Sequence, residues 1–193
     1  MKYDFVEIGT CDYHTLLEGC SSDEIGLSIE PIKIYLDNLP NKPNVTKVNV
    51  AISSEDKIVD LFWVEPHNQE KYNIGFTKGW GTIISPHRGH NEAQMMLETG
   101  MLSKHQIESI TWSTLVKRYD IESVKLVKID TEGHDCVVIN SILDSNIHPQ
   151  KIEFETTHCS TEELLQIAVR LESMGYTLIT EGEDTVWRKN NDT

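Results

Sequence analysis

The chain has 193 residues, 38% of them hydrophobic, which is room for roughly one domain with a core of its own. Its 17 Lys and Arg against 31 Asp and Glu leave a formal net charge of −14, which opposes a nucleic-acid backbone or an anionic membrane surface as partner. The apolar runs fall far short of the roughly 20 residues that span a bilayer, and Met1-Lys2-Tyr3-Asp4-Phe5 has no signal-peptide core, so a cytoplasmic protein is expected.

In chain order, hydrophobic periodicity predicts a strand over 3–8, a short helix over 12–18 and a strand over 25–29. A helix over 31–38 follows, with Pro31 in its first turn, where the missing N–H has no partner to lose. A strand is expected over 45–52 and an extra one over 57–64. Residues 64–110 show little period and carry Gly75, Gly79, Gly81, Pro86 and Gly89, so they read as a loop-rich insertion. Order resumes with a helix over 111–119, a strand over 124–129, a helix over 134–143 and a strand over 151–155. The capping box Ser160-Thr161-Glu162-Glu163 opens a helix that stops at Gly175. Strands over 176–180 and 185–188, joined by a turn, make an antiparallel hairpin, and 189–193 form a polar tail after a single domain of 1–188. Cys11, Cys20, Cys136 and Cys159 contain no C-x-x-C pair and are expected to be free thiols.

Alternating strands and helices imply an α/β fold with a doubly wound, mostly parallel sheet and helices on both faces. Such sheets bind ligands beyond the carboxyl ends of their strands, where strand order reverses. After the first strand comes Glu7-Ile8-Gly9-Thr10-Cys11-Asp12, in which Gly9 allows a sharp turn and close backbone approach. After the second comes Glu30-Pro31, where a carboxylate can accept hydrogen bonds from both hydroxyls of a ribose. Asn49-Val50-Ala51-Ile52-Ser53 closes the third, with small and polar groups that could flank an adenine. Asp130-Thr131-Glu132-Gly133-His134-Asp135 and Glu155-Thr156-Thr157-His158 end the later strands. The pattern G-x-G-x-x-G is missing from the first turn, which disfavours a nicotinamide dinucleotide.

Together Val6-Glu7-Ile8-Gly9, Ile29-Glu30-Pro31, Val48-Asn49-Val50-Ala51-Ile52-Ser53, Leu115 and above all Lys128-Ile129-Asp130-Thr131-Glu132-Gly133-His134-Asp135 resemble the FkbM-type methyltransferases, from about Phe5 to His158. The resemblance implies a Rossmann-like fold around a seven-stranded sheet and S-adenosylmethionine as cofactor. It places Glu7, Gly9, Thr10 and Asp12 at the methionine end, Glu30 and Pro31 at the ribose, Ala51 and Ile52 at the adenine, and Asp130 both at the cofactor and, with Glu132, on the acceptor side as a catalytic candidate. Asp12 and Tyr13 stand near the place of the family's second glycine, and closure over the donor is expected from the insertion.

The implied reaction is O-methylation of a hydroxyl on a sugar, glycan or small metabolite. A neutral imidazole suits the proton transfer; His158 ranks first and His87 second, ahead of His90 and His134. Asp130, Glu132, His134 and Asp135 are of metal-ligating types, but a helix starting near His134 turns its side chain away, and no metal is expected. Trp80, between Gly79 and Gly81, is a candidate for ring stacking. The reading from another class is a non-catalytic module that keeps the fold or its cofactor pocket.

Overall fold

The computed structural model describes residues 1–74, 78, 81–83, 95–96, 98–180 and 184–190. In chain order they form β1 (Lys2–Ile8), α1 (Leu16–Gly19), β2 (Gly26–Ile29), α2 (Lys33–Asn38), β3 (Val45–Val48), β4 (Ala51–Ile52), β5 (Lys57–Trp63), α3 (Pro66–Tyr72) and β6 (Gly81–Thr82). Then come β7 (Ser103–Ile110), α4 (Trp112–Arg118), β8 (Ser123–Ile129), α5 (Asp135–Leu143), β9 (Lys151–Glu155), α6 (Thr161–Ser173), β10 (Tyr176–Thr180) and β11 (Asp184–Lys189).

Seven strands make the main sheet in the order β10-β11-β9-β8-β1-β2-β3. From β3 to β9 neighbours run parallel, and β11 is antiparallel to both β9 and β10. The doubly wound sheet and its closing hairpin match the expectation; turn residues 181–183 lie outside the described set. Alternation along β1 decides what each face meets. Val6 and Ile8 join the main core with Trp112, Leu115, Val138, Ile139, Ile142, Ile167 and Leu171 of α4, α5 and α6. Glu7, on the opposite face, reaches α1. Helices therefore cover both faces, and none among the described residues is long and apolar enough to cross a membrane.

The predicted α6 opens as expected: Ser160 Oγ accepts from the Glu163 N–H while the Glu163 carboxylate accepts from the Ser160 N–H. Several elements differ from the sequence reading: the helix expected over 12–18 is only α1, capped by Thr15, and the expected loop over 64–110 also holds α3 and β6. The strand expected over 45–52 breaks after Val48, and Ala51–Ile52 turns into a second sheet of order β4-β7-β5-β6. Asn49 makes the break, because its amide donates to the carbonyls of Glu30 (2.8 Å) and Pro31 (2.9 Å). Pro31 itself lies ahead of α2, whose N-cap is Ile32. The expected loop up to Ile110 contains β7, which pairs antiparallel with β5 from Lys57↔Ser109 to Trp63↔Ser103. Most of β7 is solvated and polar, so no apolar alternation betrays it; its form comes from backbone pairing with β5.

Candidate active site

The order of strands reverses between β1 and β8, and the loops leaving these two strands touch there. Gly9 has φ +81, and a Cβ on it would sit 1.7 Å from the Asp130 carbonyl oxygen. Only glycine lets the first turn and the Asp130 loop lie this close. Beyond Gly9, Cys11 (φ 47) and His14 (φ 55) both take left-handed backbone without being glycine. The loop thus makes, with side-chain residues, turns that glycine would make more cheaply, a departure of order 1 kcal/mol or more at each position.

This loop folds around Glu30. One carboxylate oxygen accepts from the Cys11 N–H at 2.8 Å and the other from the Ile32 N–H at 2.8 Å. The residue is 4% exposed, and burial, backed by the charges of Asp130 and Asp12, pushes its carboxyl up to about 7. A carboxylate has about four lone-pair directions, so two remain for a ligand after the backbone has fixed the group's orientation. Asn49, through its bonds to the Glu30 and Pro31 carbonyls, locks the same turn.

One pocket gathers Gly9, Thr10, Glu30, Pro31, Ala51, Ile52 and Asp130, seven of the nine residues assigned to the cofactor, together with Lys128, Glu132 and His134. Glu7 and Asp12 do not line it. Glu7 is buried under α1, where both its oxygens accept from the Leu16 N–H at 2.9 Å and Lys128 Nζ lies 3.5 Å away. Asp12 turns outward to Lys78 at 2.7 Å and Asn38 at 2.9 Å. Both acids brace the first loop from outside the cavity.

At the other end, β8 stops at Ile129, so Asp130 and Glu132 sit on a loop and not on one side of a strand. Glu132 reaches the pocket through a left-handed backbone at φ 52. Burial, then the charges of Asp130, Glu155 and Asp135, raise its carboxyl to about 7. Burial and Glu155 also raise Asp130. His158 stands behind this wall, with Nε2 3.5 Å from Glu132 Oε2. Cys136 Sγ, 3.0 Å from Cys159 Sγ, packs the start of α5 against the turn before α6, and all four cysteines are free. His87, His90 and Trp80 lie outside the described residues.

Asp130, Glu132, His134 and Asp135 do not converge as metal ligands. His134 Nε2 lies 2.9 Å from Ser53 Oγ, and the Asp135 carboxylate accepts from Thr131 Oγ1 at 3.0 Å. Burial pushes His134 down to about 4, which keeps it neutral and makes it a poor base at neutral pH. The Ser53–His134 pair on the Ala51-Ile52 side was missed by sequence reading, because nothing local links two residues so far apart in the chain.

The model of the methyltransferase FkbM domain matches residues 7–178. The chain belongs to the FkbM methyltransferase family. No curated protein matches it. Among solved structures, the methyltransferase FkbM from Methylobacillus flagellatus KT superposes with a TM-score of 0.55 at 13% identity, over 97% of this chain and 44% of that one. The likeness is one of fold, and the chain spans less than half the length of that protein. The family match takes in the Gly9 turn, the Glu30 turn and the Asp130–Asp135 loop that meet at the pocket.

Proposed function

We propose that this FkbM family member binds S-adenosylmethionine and O-methylates a hydroxyl on a sugar, glycan or small metabolite in the cytoplasm. The observation that carries the reading is the Glu30 carboxylate, buried after β2 beside the switch point and held by two backbone N–H groups with acceptor positions to spare for a ribose diol. Ala51 and Ile52 offer apolar surface beside it for the base. Asp130 and Glu132 give the far end of the pocket negative potential, which favours a cationic sulfonium over a neutral thioether.

Bound there, S-adenosylmethionine supplies an electrophilic methyl carbon. Transfer of that methyl to an acceptor hydroxyl would release the hydroxyl proton, which a base of this chain must take up. The chain's task is to hold the acceptor in line and take up that proton. We assign the proton to Asp130, which lines the pocket, in place of His158, which does not. Glu132, backed by His158, orients the acceptor. The net charge of −14 supports a small-molecule or glycan acceptor over a nucleic acid.

Calorimetric titration with S-adenosylhomocysteine, with NAD as control, tests the reading. Micromolar binding of the first, none of the second, and loss of binding in Glu30→Ala are expected. Failure of S-adenosylhomocysteine to bind the folded wild-type chain would overturn it.

A further inference from the structure

Behind Glu132 stands a cluster whose other two members, Glu155 and His158, do not line the pocket. Glu132 comes from the loop after β8, Glu155 is the last residue of β9, and His158 lies in the turn beyond it. One ligand atom from each lies within 4.8 Å of the other two, and the Glu132–His158 pair is 3.5 Å apart. Two local features bring them together. The left-handed backbone of Glu132 turns it toward β9. At Gly133, with φ +92, a Cβ would stand 3.2 Å from His158 Cβ, so a side chain there would crowd the imidazole.

Charge around the group is in excess. Asp130, Asp135 and Glu155 act on Glu132, and Glu155 and Asp184 act on Asp130. The nearby Lys128 is also engaged with Glu7 at 3.5 Å. A solvated surface patch of acids would need no explanation. This group differs from such a patch, because an imidazole completes the donor set and Glu132 opens onto the cavity that holds Asp130.

We propose that Glu132, Glu155 and His158 bind a divalent cation that holds the acceptor. Two carboxylate oxygens and one imidazole nitrogen mix hard and borderline donors, a set that suits Mn2+ and its relatives among divalent ions. Three protein ligands leave coordination positions open, and Glu132, the one of the three that lines the pocket, joins the site to it. An acceptor with two neighbouring oxygens, a vicinal diol or a hydroxy acid, would fill them in chelate fashion, which narrows the acceptor class. The use of the cation rests on the methyltransferase reading, but its binding does not.

The test is a titration of the full chain with Mn2+ alone, following free Mn2+ by electron paramagnetic resonance, beside calorimetry with S-adenosylhomocysteine. The expected result is one Mn2+ per chain, affinity lower by roughly tenfold or more in Glu155→Gln, and unchanged affinity in Glu162→Gln, an exposed acid on α6. His158→Asn gives the same loss and serves if Glu155→Gln does not fold. S-adenosylhomocysteine binding retained in the variants shows that the pocket is intact. Free Mn2+ undiminished by the wild-type chain at millimolar metal, or equal affinity in folded Glu155→Gln or His158→Asn, would overturn the proposal. Mn2+ binding without S-adenosylhomocysteine binding would uphold the cation site and overturn the donor reading alone.

Discussion

The two ends of the pocket are built by opposite means. At the Glu30 end, backbone N–H groups of Cys11 and Ile32 and the amide of Asn49 hold the carboxylate and its turn before any ligand arrives. At the Glu132 end, carboxylates crowd one another, and their mutual repulsion adds to burial in raising Asp130 and Glu132. The first end is preorganised for a neutral diol; the second is short of positive charge. A site of this kind recognises the donor's nucleoside by shape and hydrogen bonds, and its sulfonium and the acceptor by charge.

The largest disruption of this contrast is expected where the two ends touch. Gly9→Ala places a methyl against the Asp130 carbonyl and an alanine at φ +81, costing about 4 kcal/mol from strain and overpacking together. Denaturant unfolding should show the loss, and binding of S-adenosylhomocysteine should vanish in whatever folds. Next is Glu30→Gln, which keeps the shape and removes the charged acceptor. Binding should weaken by roughly 10–100-fold, the worth of hydrogen bonds to a charged group, with Tm measured alongside to show that the chain still folds.

A smaller effect follows from pH. The charges of Asp130 and Asp12 add to burial in raising the Glu30 carboxyl to about 7. A ribose diol donates to the ionised form, so S-adenosylhomocysteine affinity should fall as pH drops through 7, by about tenfold for each unit below it. The same shift acts on the unliganded fold in the opposite sense. The native state holds a proton that the unfolded chain releases near its ordinary 4.5. Glu30's contribution to stability is therefore fully present below about 4.5 and lost as pH rises through about 7. Calorimetric binding and thermal unfolding across pH 5.5–8.5 check both signs, and Glu30→Gln should flatten both profiles. The smallest effect lies away from the pocket: Ser160→Ala removes the α6 cap, costs about 1 kcal/mol and leaves donor affinity unchanged.

This contrast also marks what the sequence makes legible. The Glu30 end is written in short segments, a glycine turn after one strand and an acid after the next, and six of the nine residues assigned to the cofactor line it. The capping box of α6 is equally local and equally readable. Glu7 and Asp12 misled because an acid beside a glycine turn looks the same whether it faces the cavity or braces the loop from behind. β7 escaped notice because a polar strand shows its nature only through pairing with β5. At the other end, the meeting of Glu132 with Glu155 and His158 depends on the β8–β9 register and on left-handed turns at Glu132 and Gly133, which no spacing rule contains.

The most direct test of the account is a crystal structure of the chain with S-adenosylhomocysteine. Both ribose hydroxyls should lie within hydrogen-bond distance of the Glu30 carboxylate, with the Cys11 and Ile32 N–H bonds to it intact and the adenine against Ala51 and Ile52. A ribose bound elsewhere, or a Glu30 that gives up both backbone bonds to reach it, would contradict the claim that this end of the pocket is built in advance for the donor.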